Sequence, residues 1–160
     1  MLTQEIARNL FDYRDGTLYW KVRAAKNVFA GDKAGFMQGN GYWGVRINQK
    51  THQAHRVIFL YHYGHLPKVV DHIDGDILNN LVENLREATA STNGCNRRAG
   101  VNNTSGVKNV SWCKAARKWT VMVQKNGAQQ YFGRYENLDE AASVAKQARA
   151  DLHQTFARHA

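Results

Sequence analysis

The stretch Val69-Val70-Asp71-His72-Ile73-Asp74-Gly75-Asp76 decides how the rest of the chain is read. An apolar pair runs into a carboxylate beside an imidazole, and Asp74-Gly75-Asp76 then signals a turn. Asn84 stands twelve residues beyond His72, and Asn93 nine beyond that. Metal-assisted cleavage of a phosphodiester needs a hard oxygen ligand for a divalent cation, a neutral imidazole to deprotonate water and a second ligand on a following helix. Asp71, His72 and Asn93 can fill those three roles.

Upstream, residues 55–63 place Val57, Ile58, Leu60 and Tyr61 at helical spacing, and Gly64 with Pro67 ends that helix before a short strand over 68–72. Further back, residues 3–11 set Ile6, Leu10 and Phe11 on one helical face with Thr3 as N-cap, and Asp15-Gly16 turns into the strand Thr17-Leu18-Tyr19-Trp20. Between them Gly31, Gly35, Gly39, Gly41 and Gly44 punctuate a small sheet, with Tyr42, Val45 and Ile47 as strand residues and Asn48-Gln49-Lys50 as a hairpin turn. Downstream, the polar span to Asn84 is a loop or a second hairpin arm, and Thr89 caps a helix running to about Arg98. Residues 99–106 are small and polar, so the domain boundary is expected near residue 100. Beyond it, 107–112, 118–124 and 129–135 alternate as three antiparallel strands, with Asn126-Gly127 as a hairpin. A helix opened by Asp139-Glu140 closes the chain, with Ala141, Ala142, Val144, Ala145, Ala148 and Leu152 as its apolar face.

The run from Val69 to Asp76, Asn79-Asn80, Glu83-Asn84-Leu85-Arg86-Glu87-Ala88-Thr89, the His55-Arg56 helix and the Gly64-His65-Leu66-Pro67 lead-in together resemble the HNH endonucleases of the phage and intron-encoded homing branch. The resemblance implies an α+β protein whose first domain, 1–100 with its core motif at 68–98, is a ββα-metal (His-Me finger) nuclease. It implies that Asp71 and Asn93 hold one divalent cation, magnesium with manganese as the other choice, at a non-bridging phosphate oxygen and the 3′ leaving oxygen. His72 takes the proton from water, and the products carry 5′-phosphate and 3′-hydroxyl ends. Asn84 ties the loop backbone together and keeps the histidine oriented. Asn96, one turn past Asn93, is a second ligand or a phosphate donor. Arg97 and Arg98 either suit the helix end or contact DNA.

Residues 101–160 offer Ser105-Gly106-Val107, Val110-Ser111-Trp112, Lys118-Trp119, Phe132-Gly133-Arg134-Tyr135 and Glu140-Ala141-Ala142, which resemble the APETALA/ethylene-response-factor DNA-binding domain, a module known beside HNH nucleases. That resemblance implies a three-stranded sheet packed on one helix and entering the major groove, with Lys108, Trp112, Lys114, Lys118, Gln124 and Arg134 on its reading face. Trp112, Trp119 and Phe132 compete as core residues, and Trp119 is assigned to the core. The plant pattern is richer in arginine than Asn109, Thr120 and Gln129 here, which favours phosphate positioning over base readout. Tyr42, Trp43 and Arg46 are a second groove-contacting element or, equally, core plus a solvent-facing charge.

Composition agrees. The net charge is +9, with 13 basic and 9 acidic residues over 1–100 and 9 and 4 over 101–160, a balance that favours a polyanion partner, double-stranded DNA on the resemblances above, and by itself also fits ribosomal, membrane-surface or merely soluble proteins. No apolar run reaches the roughly 20 residues a membrane span needs, and the N-terminus lacks an export pattern, so a cytoplasmic protein is expected, in the host cytoplasm if phage-encoded. Cys95 and Cys113 form no C-x-x-C unit, and His62 with His65 make a weak ligand pair, so no structural zinc is expected. Asp74-Gly75-Asp76 fails the calcium-loop pattern. The alternatives are a non-catalytic DNA-binding protein on a vestigial nuclease scaffold and an RNA-directed nuclease, against which the lack of an RNA-recognition signature argues. One active site cuts one strand, as a monomer or a homodimer.

Overall fold

In the computed structural model, which describes residues 2–96, 102–153 and 156–157, the chain divides between Ala88 and Thr89 into two compact units. The first begins with helix α1 (Gln4–Leu10), where the Thr3 hydroxyl accepts from the Ile6 N–H at 3.3 Å. Phe11 is buried and Leu10 packs against the core as expected, whereas Ala7 rather than Ile6 is the buried residue of the helix, and Phe11 already belongs to the strand β1 (Phe11–Arg14). Only four residues long and abutting a helix, β1 leaves no periodic trace in the sequence. It pairs with β2 (Thr17–Trp20) across Asp15-Gly16, whose φ values of 43° and 78° put both in the left-handed region that two-residue hairpins require.

Strands β3 (Phe36–Met37), β4 (Trp43–Ile47) and β5 (Lys50–Gln53) form an antiparallel sheet in that order. The turn is Asn48-Gln49, with Lys50 opening β5. Helix α2 (Ala54–Tyr63) ends on Gly64 at φ 76°, whose N–H reaches the Leu60 carbonyl. Phe11, Leu18, Val45, Val57, Ile58, Val70 and Leu85 belong to a single core cluster. Burying a residue such as Ile58 contributes about 1.5–3 kcal/mol, against about 1 kcal/mol for a cap, so packing holds these helices in place. Strands β6 (Val69–His72) and β7 (Leu85–Ala88) pair antiparallel, joined by a loop that ends in a 3-10 turn at Val82–Asn84. The polar span is therefore a loop, and the hairpin arm follows it.

In the second unit Thr89 caps α3 (Ala90–Cys95) through a reciprocal capping box with Thr92. The expected extension to Arg98 lies outside the described residues. Strands β8 (Val110–Cys113), β9 (Lys118–Lys125) and β10 (Ala128–Tyr135) form the sheet β10-β9-β8, with Asn126-Gly127 as its hairpin turn. β8 starts three residues later than the alternation suggests. Ser105 Oγ and Asn103 Nδ2 both donate to the Val107 carbonyl, and Asn109 sits at φ 69°, which no strand tolerates. Helix α4 (Leu138–His153) lays Ala141 and Ala145 on Val110 and Val121. Arg149 and His153, rather than Leu152, complete its buried side. No helix among the described residues is long and apolar enough to cross a membrane.

Candidate active site

Neighbours on a strand point to opposite faces, so β6 sends Asp71 and His72 to different surroundings. Register places Arg86 directly across from Asp71. Its Nε and Nη2 both reach Asp71 Oδ2, at 2.9 and 2.8 Å, and both side chains are largely buried. His72 is buried too, with Nε2 2.9 Å from Asn80 Oδ1. An acceptor at Nε2 keeps the proton there and leaves the lone pair of the neutral ring on Nδ1. The His55 ring stands 4.9 Å from His72, edge to face, and Tyr42 lies 5.4 Å from His55. Burial, then the neighbouring His72 and Arg56, lower the His55 pKa to about 3. It is therefore a neutral wall beside His72 at physiological pH.

The loop between the two strands is held by its own side chains. Asn84 Nδ2 donates to Asp74 Oδ1 at 2.9 Å and to the Asn79 carbonyl at 2.8 Å, while its Oδ1 accepts from the Asp74 N–H at 3.0 Å. Burial pushes the Asp74 carboxyl up, but hydrogen bonds from the Asp76 N–H and the Asn79 and Asn84 amides outweigh it and hold the pKa below the ordinary value. The Tyr13 hydroxyl accepts from the Val82 N–H at 2.9 Å, tying the loop to the first hairpin. Asn84 thus bonds the loop, and the group touching the His72 ring is Asn80. Asn79-Asn80 stands in the motif, yet nothing in its spacing says which amide reaches the ring. Arg86 and His55 also escaped the sequence reading, because strand register and helix packing bring them in.

Asn93 lies on α3, its N–H bonded to the Thr89 carbonyl at 3.0 Å, so it belongs to the second unit and Asp71 to the first. Asn96 is buried at the end of that helix. Arg97 and Arg98 lie outside the described residues. On the sheet, register groups Ser111, Thr120 and Arg134 in one row and Trp112, Trp119 and Tyr135 in the next. Lys118, Gln124 and Arg134 therefore share the face turned from α4. Trp112 lies on the α4 side, its ring 4.9 Å from Trp119, which packs on the core. Thr120 is buried at the centre of the outer face, so a longer basic residue has no room there. Met122 and Tyr131, opposite one another and exposed, are outer-face residues the sequence reading missed. Lys108 and Lys114 flank β8, and Lys118 pairs with Glu136 at 3.2 Å. In the first unit Trp43 Nε1 donates to the Ala34 carbonyl and Tyr42 packs on His55, while Arg46 alone of that trio is exposed.

Among the described residues no three His, Cys, Asp or Glu side chains converge as a metal cage. The carboxylate beside the candidate base is Asp71. A hard anionic oxygen fits magnesium or manganese better than zinc, which prefers Cys and His.

The family model described as HNH endonuclease matches residues 52–95, from β5 through α3. Protein 3.8 of Escherichia phage T7 is similar, 39% identical over 97 residues that cover 59% of this chain and 79% of that protein. No solved structure matches significantly.

Proposed function

This chain belongs to the family of Protein 3.8 of phage T7 and carries an HNH endonuclease domain, and we infer that it is a divalent-metal-dependent endonuclease hydrolysing duplex DNA to 5′-phosphate and 3′-hydroxyl ends. The observation that carries the reading is His72, buried on β6 with Asn80 on Nε2, so that Nδ1 is the base for the attacking water. Packing by His55 and the hydrogen bond that His72 Nε2 donates to Asn80 Oδ1 pre-set the ring, and the Asn84-locked loop holds the strand end that bears it. HNH nucleases generally use a divalent metal. Asp71 and Asn93 would hold it, magnesium first and manganese second. When bound, it supplies Lewis-acid neutralisation of the charge that develops on the phosphate and the leaving oxygen.

Nuclease chemistry is assigned to residues 1–100 and an APETALA-like DNA-contacting domain to 101–160. There Lys108, Lys114, Lys118 and Arg134 reach phosphates, with Met122 and Tyr131 beside them on the outer face, and Trp112 contributes from its edge position. Arg97 and Arg98 add backbone contacts. A homing-type role, as a monomer or a homodimer in the host cytoplasm, belongs to the same reading, and the phage relative supports a phage origin.

One observation favours the second reading, a binding protein on a nuclease scaffold: Asp71 Oδ2 already holds a cation that the chain itself supplies, Arg86. Incubating supercoiled plasmid with the protein and magnesium, with chelator, and with His72→Ala separates the two. Nicking or linearisation by wild type alone is expected. Intact plasmid in every arm, with binding retained, establishes the binder.

A further inference from the structure

Charge in the first unit is segregated. Residues 21–50 hold six cations, Lys21, Arg23, Lys26, Lys33, Arg46 and Lys50, against Asp32 alone, whereas 1–20 and 51–88 together hold five cations against eight carboxylates. Five of those eight, Asp71, Asp74, Asp76, Glu83 and Glu87, sit on or beside the strands and loop around His72. An acidic catalytic loop repels the phosphate it is meant to cut, so the strand must be held by something else.

The structure provides a place for it. The outer face of β3-β4-β5 and the segment before β3 enclose an open groove of about 840 Å³, lined by Lys33, Arg46, Asn48, Gln49 and the ring of Phe36 among others, with no carboxylate in its wall. Arg46 rises from the outer face, on the side opposite Val45 and Ile47, and is exposed. Phe36 is exposed beside Gly44, where the Gln38 side chain fills the space a side chain at Gly44 would take. Lys33 lies 4.4 Å over the Trp43 ring and also lines a second, smaller cavity whose wall includes Asn80. Asn80 touches the His72 ring. Lys33 is thus shared by the basic groove and by a cavity whose wall reaches the edge of the candidate active site.

We propose that this groove is a track for the sugar-phosphate backbone of duplex DNA, with Arg46 and Lys33 on phosphates, leading the strand towards His72. Only the last clause rests on the nuclease reading. Binding of a short duplex is measured in chelator over a range of salt, for wild type, the double variant Lys33→Gln/Arg46→Gln, Lys33→Arg and Lys146→Gln. Each phosphate contact contributes about 0.9 to the slope of log affinity against log salt, so the double variant is expected to flatten it by about 1.8. Lys33→Arg, which keeps the charge and the ring contact, should retain the wild-type slope, as should Lys146→Gln on the exposed side of α4. An unchanged slope in the double variant overturns the proposal. So does competition by polyglutamate equal to that by duplex, or loss of single-strand binding with duplex binding intact. Should wild type fail to cut DNA with magnesium while the double variant still flattens the slope, the nuclease reading falls and the groove stands. Cutting with an unchanged slope gives the reverse.

Discussion

The two units differ in how they place charge and polar groups. The first gathers six of its eleven cations within residues 21–50 and five of its nine carboxylates on or beside the β6–β7 hairpin, whereas the second scatters eleven cations and four carboxylates over residues 89–160. Two sets of buried polar groups, those around His72 and those on α4 and β9, also differ. Around His72 the network is closed: Asp71 on Arg86, His72 on Asn80, Asn84 on Asp74 and Asn79. In the second unit Arg149 gives one bond, from Nη1 to the Lys108 carbonyl, while its Nε, His153 Nδ1 and Thr120 Oγ1 find no partner among the described residues. A closed network holds side chains in one geometry, which chemistry needs.

The largest test of that contrast is chemical. His72→Ala should lower the single-turnover cleavage rate by about 10² to 10⁴, with duplex affinity in chelator unchanged; equal losses in rate and affinity would place His72 in binding instead. Next comes stability. Asp71→Ala leaves the Arg86 guanidinium, with its side chain only 16% exposed, short of its carboxylate, and should cost about 3–5 kcal/mol in urea unfolding. Arg149→Met, on α4, should cost less than about 1 kcal/mol or stabilise. Comparable losses for both would erase the distinction between the units.

His55 adds a pH dependence. Its folded pKa of about 3 lies below the unfolded value of 6.5, so its neutral burial stabilises fully above 6.5 and that contribution is lost as pH falls towards 3. Urea midpoints should decline over that window with a slope of up to about 1.4 kcal/mol per pH unit, and His55→Gln should flatten it. The smallest effect is expected on the outer sheet face of the second unit. Arg134→Gln should reduce the salt slope of DNA binding by about 0.9, and Lys118→Gln by less, because Glu136 already pairs with Lys118.

Much of this was readable in advance where the cause is local. Thr3 and Thr89 as caps, Gly64 as a helix end, and Asp15-Gly16 and Asn126-Gly127 as hairpin turns each act through their own backbone or the next few residues. The strand ending in Asp71-His72 falls one residue from its expected start. The misses are of another kind. Ile6 points outward while its neighbour Ala7 packs inward, and Trp112 lies on the α4 side because β8 starts at Val110 and pairs with β9 in a register that alternation alone leaves open.

From its order of residues alone, the chain specified a carboxylate-imidazole pair on a strand end, an amide-rich loop after it and an excess of positive charge. Which groups surround that pair was decided by tertiary structure. Arg86 meets Asp71 through strand pairing, His55 arrives from a helix seventeen residues upstream of His72, and Asn80 meets the ring from a loop that Asn84 and Asn79 bond together. The distinction is physical: caps and turns are satisfied within a few residues, whereas burial and hydrogen bonding of a site depend on segments that only packing brings within 3 Å of each other.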